Sequence, residues 1–422
     1  MIDTPTVTIL IAFTAAGLGL LGYWAAVGYH IARTMALIPT ARHGLRLGLP
    51  PGDRPRVCIL VPAHNEEACI GTLAATLCAQ DYPQDRLSMV FVLDRCTDGT
   101  RAVLEKTLRD GDGLGRAEII ELDACSPGWI GKPHALWSGF RGSAAAANAD
   151  LLLFVDADTQ LDPRLVRAAT ALLLNRRLGM LSLLSTLTYD HWFETIVQPA
   201  AGMELMRQFP IVKANGGGER DGRAGSRQRR PFANGQFIMI RRTDYEAIGG
   251  HDSVRAKVLE DVELARLADK SAIACGFFLD GGLLTCRMYD SFAALKRGWK
   301  RIFTEAANTK PHRLRKLARR TRLVGTALPL LNLSGLIAGL WLRTGTHALP
   351  ATIAAAACAC GLLVWAGVLA WSYAIGRIPL WGLIGFPLGS WITGGIMREA
   401  ARDLDRGRPT EWGGMSIART AR

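Results

Sequence analysis

Between residues 6 and 32 the chain has no Lys, Arg, Asp or Glu, reading TVTILIAFTAAGLGLLGYWAAVGYHIA. That charge-free run is longer than the roughly 20 residues a membrane-spanning helix requires. It also exceeds the ~7–15-residue apolar core of a secretory leader, and no basic segment precedes it, so a retained anchor is expected. Cysteine pairing signals are missing too. The nine cysteines include no Cys-x-x-Cys and no framework of spacings, which argues against a disulfide-stapled design and fits a reducing compartment for the central part of the chain. Cys358 and Cys360 lie in an apolar stretch and are expected to act as small apolar residues. His64, His134 and His251 show no metal-ligand spacing and are expected to be structural.

Acids are outnumbered, 37 Asp and Glu against 50 Lys and Arg, for a formal net charge of +13. Part of the excess is local: KPHRLRKLARRTR, 310–322, stands just before three further apolar stretches at 323–342, 349–375 and 378–397. A basic run beside a spanning helix marks the cytoplasmic side and suits anionic headgroups; a nucleic-acid partner is not expected. The expected organisation is an anchor and linker (1–45), a cytoplasmic globular domain (46–309), and a basic juxtamembrane segment with apolar helices and tail (310–422). This describes a multi-pass protein of the cell (inner) membrane. Three later crossings would leave Arg398, Arg402, Arg406 and Arg408 outside, against the preference of such residues. The stretch 378–397, with Pro379, Pro387 and five glycines, is therefore expected to lie in the interface or re-enter.

Within the globular part, RPRVCILVPAHNEE (54–67) has a β-branched, apolar run that ends in Pro62 and a polar turn, followed by Ile70, Leu73 and Leu77 at helical spacing. LSMVFVLDRCTDGT (87–100), AEIIELD (117–123) and LLLFVDAD (151–158) repeat the strand signal. Strands alternating with helices predict an α/β fold with a mostly parallel sheet and ligands at the carboxyl ends of its strands. Glu66, Asp94, Asp98, Asp156 and Asp158 all fall there.

Asp156 and Asp158 share one side of an extended chain, because side chains alternate with period two. Paired hard oxygen ligands suit Mg²⁺ or Mn²⁺ beneath a phosphorylated substrate. Two other readings stand beside this one. The pair could simply cap the helix that starts near 162–166. Alternatively DADTQ matches a phosphatase-type Asp-x-Asp-x-Thr, with Asp156 as a covalent nucleophile; three strands precede it, however, and no Gly-Asp-x-x-x-Asp stretch follows. VLEDVELARLA (258–268) reads as a helix with Glu260 and Asp261 in its first turn, where acids suit the helix dipole or one serves as a general base. Upstream, FANGQFIMIRRTDYEAIGGHD places Gly235 at a close approach before a short strand at 237–241.

The ordered set VPAHNEE, VLDRCTDGT, GKPHALWSG, FVDADTQ, ANGQFIMIRR, EDVELA and GWKR, over about 55–305, resembles the family 2 glycosyltransferases of the nucleotide-sugar-binding GT-A fold. The specificity lies in the order and spacing of seven individually weak motifs. The resemblance implies that Pro62, Ala63, Asn65 and Glu66 form the first nucleotide-contacting turn, that Asp94 and Asp98 form the second, and that Lys132 stands near the donor diphosphate; for His134, reach to that diphosphate is the alternative to a structural role. Asp156 and Asp158 match the metal-binding pair, with Asp158 the direct ligand. Asp261 matches the catalytic base, Glu260 its flanking acid, and Gly235, Gln236 and Trp299 fall on the acceptor side. An inverting transfer from a nucleotide sugar, UDP-linked by expectation, with Mg²⁺ or Mn²⁺ as cofactor, follows from the resemblance.

Departures narrow the reading. The second turn has Asp94-Arg95 where the family usually has paired acids. The Gln/Arg-x-x-Arg-Trp of polymerising members is reduced to Leu295, Gly298 and Trp299, so a processive polysaccharide synthase is the less favoured alternative, and a binding-only scaffold would not require Asp261. MYDSFAALKRGWKRIF instead resembles members that put one sugar on a lipid, such as the carotenoid, hopanoid and sphingolipid glucosyltransferases. LSLLSTLTYDHWFETIVQPAAGMELMRQF (181–209), with Trp192, Phe193 and Met206, is expected to lie partly in the membrane interface. KANGGGERDGRAGSRQRRP (213–231) is too poor in apolar residues to fold and is expected to be mobile.

Overall fold

The computed structural model describes residues 4–49, 54–216, 230–408, 410–412 and 415–417. Residues 217–229, most of the Gly- and Arg-rich segment expected to be mobile, lie outside the described residues. In chain order the strands are β1 (Val57–Ala63), β2 (Leu87–Asp94), β3 (Ala117–Leu122), β4 (Leu151–Val155), β5 (Thr159–Leu161), β6 (Met180–Leu184), β7 (Thr186–Leu187), β8 (Phe237–Arg241), β9 (Cys275–Leu279) and β10 (Leu284–Cys286). The helices begin with α1 (Thr4–Leu37), α2 (Arg42–Leu47), α3 (Ile70–Cys78), α4 (Thr100–Asp110), α5 (Gly131–Gly142), α6 (Ala144–Ala147), α7 (Leu165–Asn175) and α8 (Trp192–Gln208). They continue with α9 (Ile211–Ala214), α10 (Arg242–Ala247), α11 (Glu260–Lys270), α12 (Phe292–Ala306), α13 (Pro311–Arg322), α14 (Leu328–Leu342), α15 (Ala348–Gly376) and α16 (Gly382–Asp405). The chain forms two compact units, Leu37–Thr188 with Phe209–Met288, and Met1–Ala36 with Tyr189–Gln208 and Tyr289–Arg422.

The first unit is built on a seven-stranded sheet in the order β3-β2-β1-β4-β8-β6-β9. Strand β8 runs antiparallel to β4 and β6, and the other neighbours are parallel. β1 shows why the sheet is covered on both faces. Its alternate residues Val57, Ile59 and Val61 enter one core with Leu73 and Leu77 of α3, Leu104 of α4 and Leu172 of α7. Cys58 and Leu60 enter a second core with Leu136 and Phe140 of α5, Tyr245 of α10 and Leu264 of α11. A strand buried on both faces reads as a continuous apolar run, as 57–61 does.

The antiparallel strand decides what meets at the working end. Because Val155 pairs with Phe237, the start of β8 lies beside the end of β4, and Gly235 and Gln236 come level with Asp156. A second, three-stranded sheet has the order β5-β10-β7. There Cys286 pairs with Thr159, which brings a thiol next to Asp158.

Behind this corner, burial pushes the His251 imidazole down to about 3 and keeps it neutral. Its Nδ1 lies 2.8 Å from the Tyr245 hydroxyl, and its backbone N–H donates to the same oxygen at 3.0 Å. A neutral ring lets Nδ1 accept the Tyr245 O–H.

The second unit contains the apolar helices. Among the described residues, three helices are long and apolar enough to cross a membrane: Thr4–Leu37, Pro311–Leu342 and Ala348–Gly376. The helix carrying most of 378–397, α16, is not among them. It packs on α8 closely enough that a Cβ on Gly389 would lie 1.9 Å from the Ile196 carbonyl oxygen, while Ile384 is 88 % exposed on its other side. Glu204 of α8 is buried and pairs with Arg320 of α13.

Tyr245→Phe would leave the buried His251 N–H and Nδ1 without their shared partner. The expected loss is about 1–3 kcal/mol, read as a lowered thermal unfolding midpoint in detergent; an unchanged midpoint would show that this pair does not support the unit.

Candidate active site

Lys132, in the first turn of α5, sits at the centre of the carboxylates. Its Nζ lies 2.6 Å from Asp156 Oδ1 and 3.0 Å from Glu260 Oε1. Burial alone would pull the ammonium down, but Asp156, Glu260 and Asp261 together hold it above its ordinary value, so it stays charged. Burial likewise opposes ionisation of Glu260, and Lys132 outweighs it, holding this carboxylate below its usual range. Lys132 and its partners Asp156 and Glu260 therefore form a salt-bridged triad joining the end of β4 to the start of α11.

For two carboxyl groups beside the triad, burial and neighbouring acids outweigh the Lys132 charge. Asp261 is pushed up to about 7, first by burial and then by its neighbour Glu260. Its Oδ2 accepts the Gly235 N–H at 2.8 Å, and its Oδ1 accepts the Val262 N–H at 2.8 Å. A side chain at 235 would crowd this contact: a Cβ there would lie 2.8 Å from Lys132 Nζ and 3.3 Å from Asp261 Oδ2. Asp158 is also pushed up to about 7, by burial and then by the negative charges of Asp156 and Glu66. The Cys286 thiol bonds to it, and the thiol is raised well above its ordinary value in turn by burial and the Asp158 charge. Buried Asp158 Oδ1 has no hydrogen-bond partner. Glu66 is raised as well, chiefly by burial, and takes the Cys69 thiol at 3.0 Å. Carboxyl groups pushed apart in proton affinity within one cleft are the arrangement that acid–base chemistry needs.

Among the described residues no three His, Cys, Asp or Glu side chains converge as a full protein cage for a metal. A hard divalent ion does not require one, since Mg²⁺ commonly takes one or two carboxylates with water and substrate phosphates. Asp158 fits that role by its orphaned buried oxygen and by the anionic neighbours that raise its affinity for positive charge. Asp156 stands beside it.

The turns after β1 and β2 form a second cluster. Asn65 (φ 56°) and Arg95 (φ 51°) both adopt left-handed backbone there, a conformation that costs a non-glycine residue free energy and gathers at working sites. Arg95 folds back on buried Asp94 in a two-pronged pair, Nε to Oδ1 at 2.9 Å and Nη2 to Oδ2 at 2.7 Å. His64 Nδ1 lies 2.6 Å from the Asp94 carbonyl oxygen. Asp98 is engaged locally: it accepts the Thr100 N–H (3.1 Å), the Thr100 hydroxyl (2.5 Å) and the Glu67 N–H (3.2 Å). Despite some desolvation, those bonds hold it below its usual value. Asp98 thus ties the two turns together and holds the first N–H of α4. Pro62 and Ala63 belong to β1, where Ala63 is buried.

Gln236 is held by three neighbours. Its Oε1 accepts from Ser185 Oγ and from Asn234 Nδ2 (2.9 Å), and its Nε2 lies 2.9 Å from Cys286 Sγ. Ser185 and Cys286 carry no motif in the sequence; only the pairing of two- and three-residue strands brings them here. Trp299 belongs to the second unit, where it is buried and stacks on Phe303 at 5.3 Å.

The family model described as glycosyltransferase like family 2 matches residues 55–280. A 4,4'-diaponeurosporenoate glycosyltransferase of Staphylococcus aureus (strain MRSA252) is 26 % identical over 288 residues, covering 65 % of this chain and 68 % of the relative. Among solved structures, a mannosyltransferase from Pyrobaculum calidifontis in complex with GDP-Man and Mn²⁺ is 19 % identical and matches with a TM-score of 0.46, over 94 % of this chain and 98 % of its own. Glucosyl-3-phosphoglycerate synthase from Mycobacterium tuberculosis with Mn²⁺, UDP and phosphoglyceric acid is 16 % identical, with a TM-score of 0.39 over 60 % and 78 %. With more than half the chain inside the family match, and the motifs of that match gathered at the carboxyl edge of a mostly parallel sheet, this protein belongs to glycosyltransferase family 2 and is a glycosyltransferase of GT-A fold.

Proposed function

We propose that the protein transfers a single sugar from a nucleotide-linked donor, UDP-linked by preference, to a hydroxyl group of a membrane lipid at the cytoplasmic face, with inversion at the anomeric carbon. The observation that carries this reading is the division of the acids. Asp156 and Glu260 are committed to Lys132, whereas Asp158 and Asp261 retain proton affinity near neutral pH.

In this reading Asp261 accepts the proton of the acceptor hydroxyl, fixed by the Gly235 and Val262 N–H groups. The acceptor oxygen forms its bond to the anomeric carbon as the bond to the donor phosphate breaks, and the nucleoside diphosphate leaves with the electron pair. One displacement inverts the centre. Lys132 supports the negative charge that collects on the diphosphate. Asp158, with Asp156, would hold Mg²⁺ or Mn²⁺, which supplies Lewis-acid stabilisation of the same charge when bound. Asn65, Glu66 and Asp94 line the turns for the nucleoside.

Three helices suited to crossing a membrane favour a lipid acceptor, as does the name of the Staphylococcus relative. Single transfer is favoured by Gly298: a Cβ there would lie 2.4 Å from the Tyr289 ring, and Leu295 is fully buried. The Arg of polymerising members has no room at 298 unless Tyr289 moves.

Release of nucleoside diphosphate from UDP-, GDP- and dTDP-sugars, measured in detergent with Mn²⁺ and lipid extract, tests the reading. Asp261→Asn is expected to lower kcat by about 10²–10⁴ with little change in donor KM, and Asp158→Ala to abolish cation-stimulated release. Lipid-independent turnover at the full rate would overturn the lipid acceptor.

The pH dependence has a definite sign. The rate should rise as pH passes through about 7 and Asp261 becomes ionised. Stability without cation should move the opposite way. Asp158 and Asp261 bind protons more tightly folded than unfolded, so their contribution is complete below the ordinary carboxylate value of about 4 and is lost as pH rises through about 7. Melting curves from pH 4 to 8 should show this decline, and Mn²⁺ should oppose it most at the alkaline end. A midpoint rising across that range would contradict the assignment.

A further inference from the structure

A groove of about 600 Å³ between α13 and α16 is lined by Arg315, Arg319, Arg398 and Arg402. Each helix contributes two arginines one turn apart, and the helices run antiparallel: Arg315 pairs with Asp405, while Arg322 donates to the Trp391 carbonyl at 3.1 Å. Among the described residues Asp405 is the one carboxylate paired with the four. Arg402 Nε makes a long contact of 3.4 Å to the Arg398 carbonyl of its own helix. The nearby acids of α16 face elsewhere, Glu399 and Asp403 being taken by Lys300 of α12. Four guanidinium groups thus share one counter-charge, an arrangement that calls for an anion.

The same two helices show what kind of anion. Toward the apolar ends of both helices, Arg322 lies over the Trp391 ring at 4.0 Å, an aromatic–cation anchor typical of a membrane interface. Beyond it α16 exposes Leu388 and Ile384, at 52 % and 88 %. Leu388 is ten positions from Arg398, about 15 Å along a helix. An oxyanion-binding end is therefore continuous with an exposed apolar end, separated by an indole. That sequence of surfaces matches a phosphate headgroup with acyl chains, and arginine forks bind phosphate oxygens in pairs.

We propose that the α13–α16 groove is a binding site for the phosphate of an anionic membrane phospholipid, whose chains run along the Trp391, Leu388 and Ile384 face. This lipid is a bound companion of the helices, separate from the sugar acceptor, and it holds α13 and α16 together where their own charges repel.

The test uses the full chain in nanodiscs of phosphatidylcholine doped with phosphatidylglycerol, with retained lipid counted by native mass spectrometry after gentle detergent release, so that no sugar transfer is involved. The wild type is expected to retain phosphatidylglycerol over phosphatidylcholine by about tenfold or more. Arg319→Gln with Arg398→Gln should lose about tenfold of that preference. Arg313→Gln with Lys316→Gln removes the same total charge, both positions lying on α13 outside the groove lining, and should keep it. Equal loss in both pairs would reduce the effect to diffuse surface charge and overturn the site. Displacement of phosphatidylglycerol by millimolar glycerol phosphate or inorganic phosphate alone would overturn the lipid assignment in favour of a soluble phosphate. Should the Gln pair fail to fold, Arg319→Lys with Arg398→Lys keeps the charge and removes the forks; a preference unchanged from wild type would then also refute the site.

Discussion

A single buried ammonium organises the catalytic unit. Lys132 contacts Asp156 at the end of a strand and Glu260 at the start of a helix, elements more than a hundred residues apart in the chain. At an effective dielectric near 20, each contact is worth on the order of 5 kcal/mol. Desolvation of the ions costs several kcal/mol apiece, so little net stability remains. What the triad supplies is position. With one cation shared by two partners, further acids drawn to the same corner cannot all ionise. The proton affinity of Asp158 and Asp261 follows first from burial and then from the neighbouring acids, which the Lys132 charge only partly offsets.

Much of this was legible before any coordinates. Continuous apolar runs such as 57–61 and 151–155 announced doubly covered strands, and 237–241 coincides with β8. The first-turn acids of α11 were equally plain. The fit of Gly235 to the Asp261 carboxylate was half visible as a glycine at a close approach. Asp98 shows the opposite case. Matched in sequence to the second nucleotide-contacting turn, it has its carboxylate oxygens accepting from the Thr100 N–H and hydroxyl and the Glu67 N–H.

Other features had no local signal. Strands as short as β5, β7 and β10 have no periodicity to detect, yet their pairing places Cys286 beside Asp158 and Gln236. Helix α8 carries Pro199 in its interior, which blurs a helical pattern. Tyr189–Gln208 packs in the unit with the apolar helices, as does Tyr289–Arg422, although all of the first and the start of the second fall inside the 46–309 span that the sequence suggests as one domain. The basic run was readable as a charged segment, but not the way α16 turns Glu399 and Asp403 toward α12 and Arg398 and Arg402 toward α13.

The crowding of acids around Lys132 reaches beyond the reaction. Near neutral pH the acids around Lys132 repel one another, and positive charge brought to Asp158 and Asp261 offsets that repulsion. Binding selective for the folded state stabilises by about 2.7 kcal/mol at a hundredfold excess over Kd. Differences of that size change protein abundance several-fold in cells, because proteases remove what unfolds. A divalent cation held at Asp158 would therefore raise the folded fraction of this enzyme as well as support its reaction.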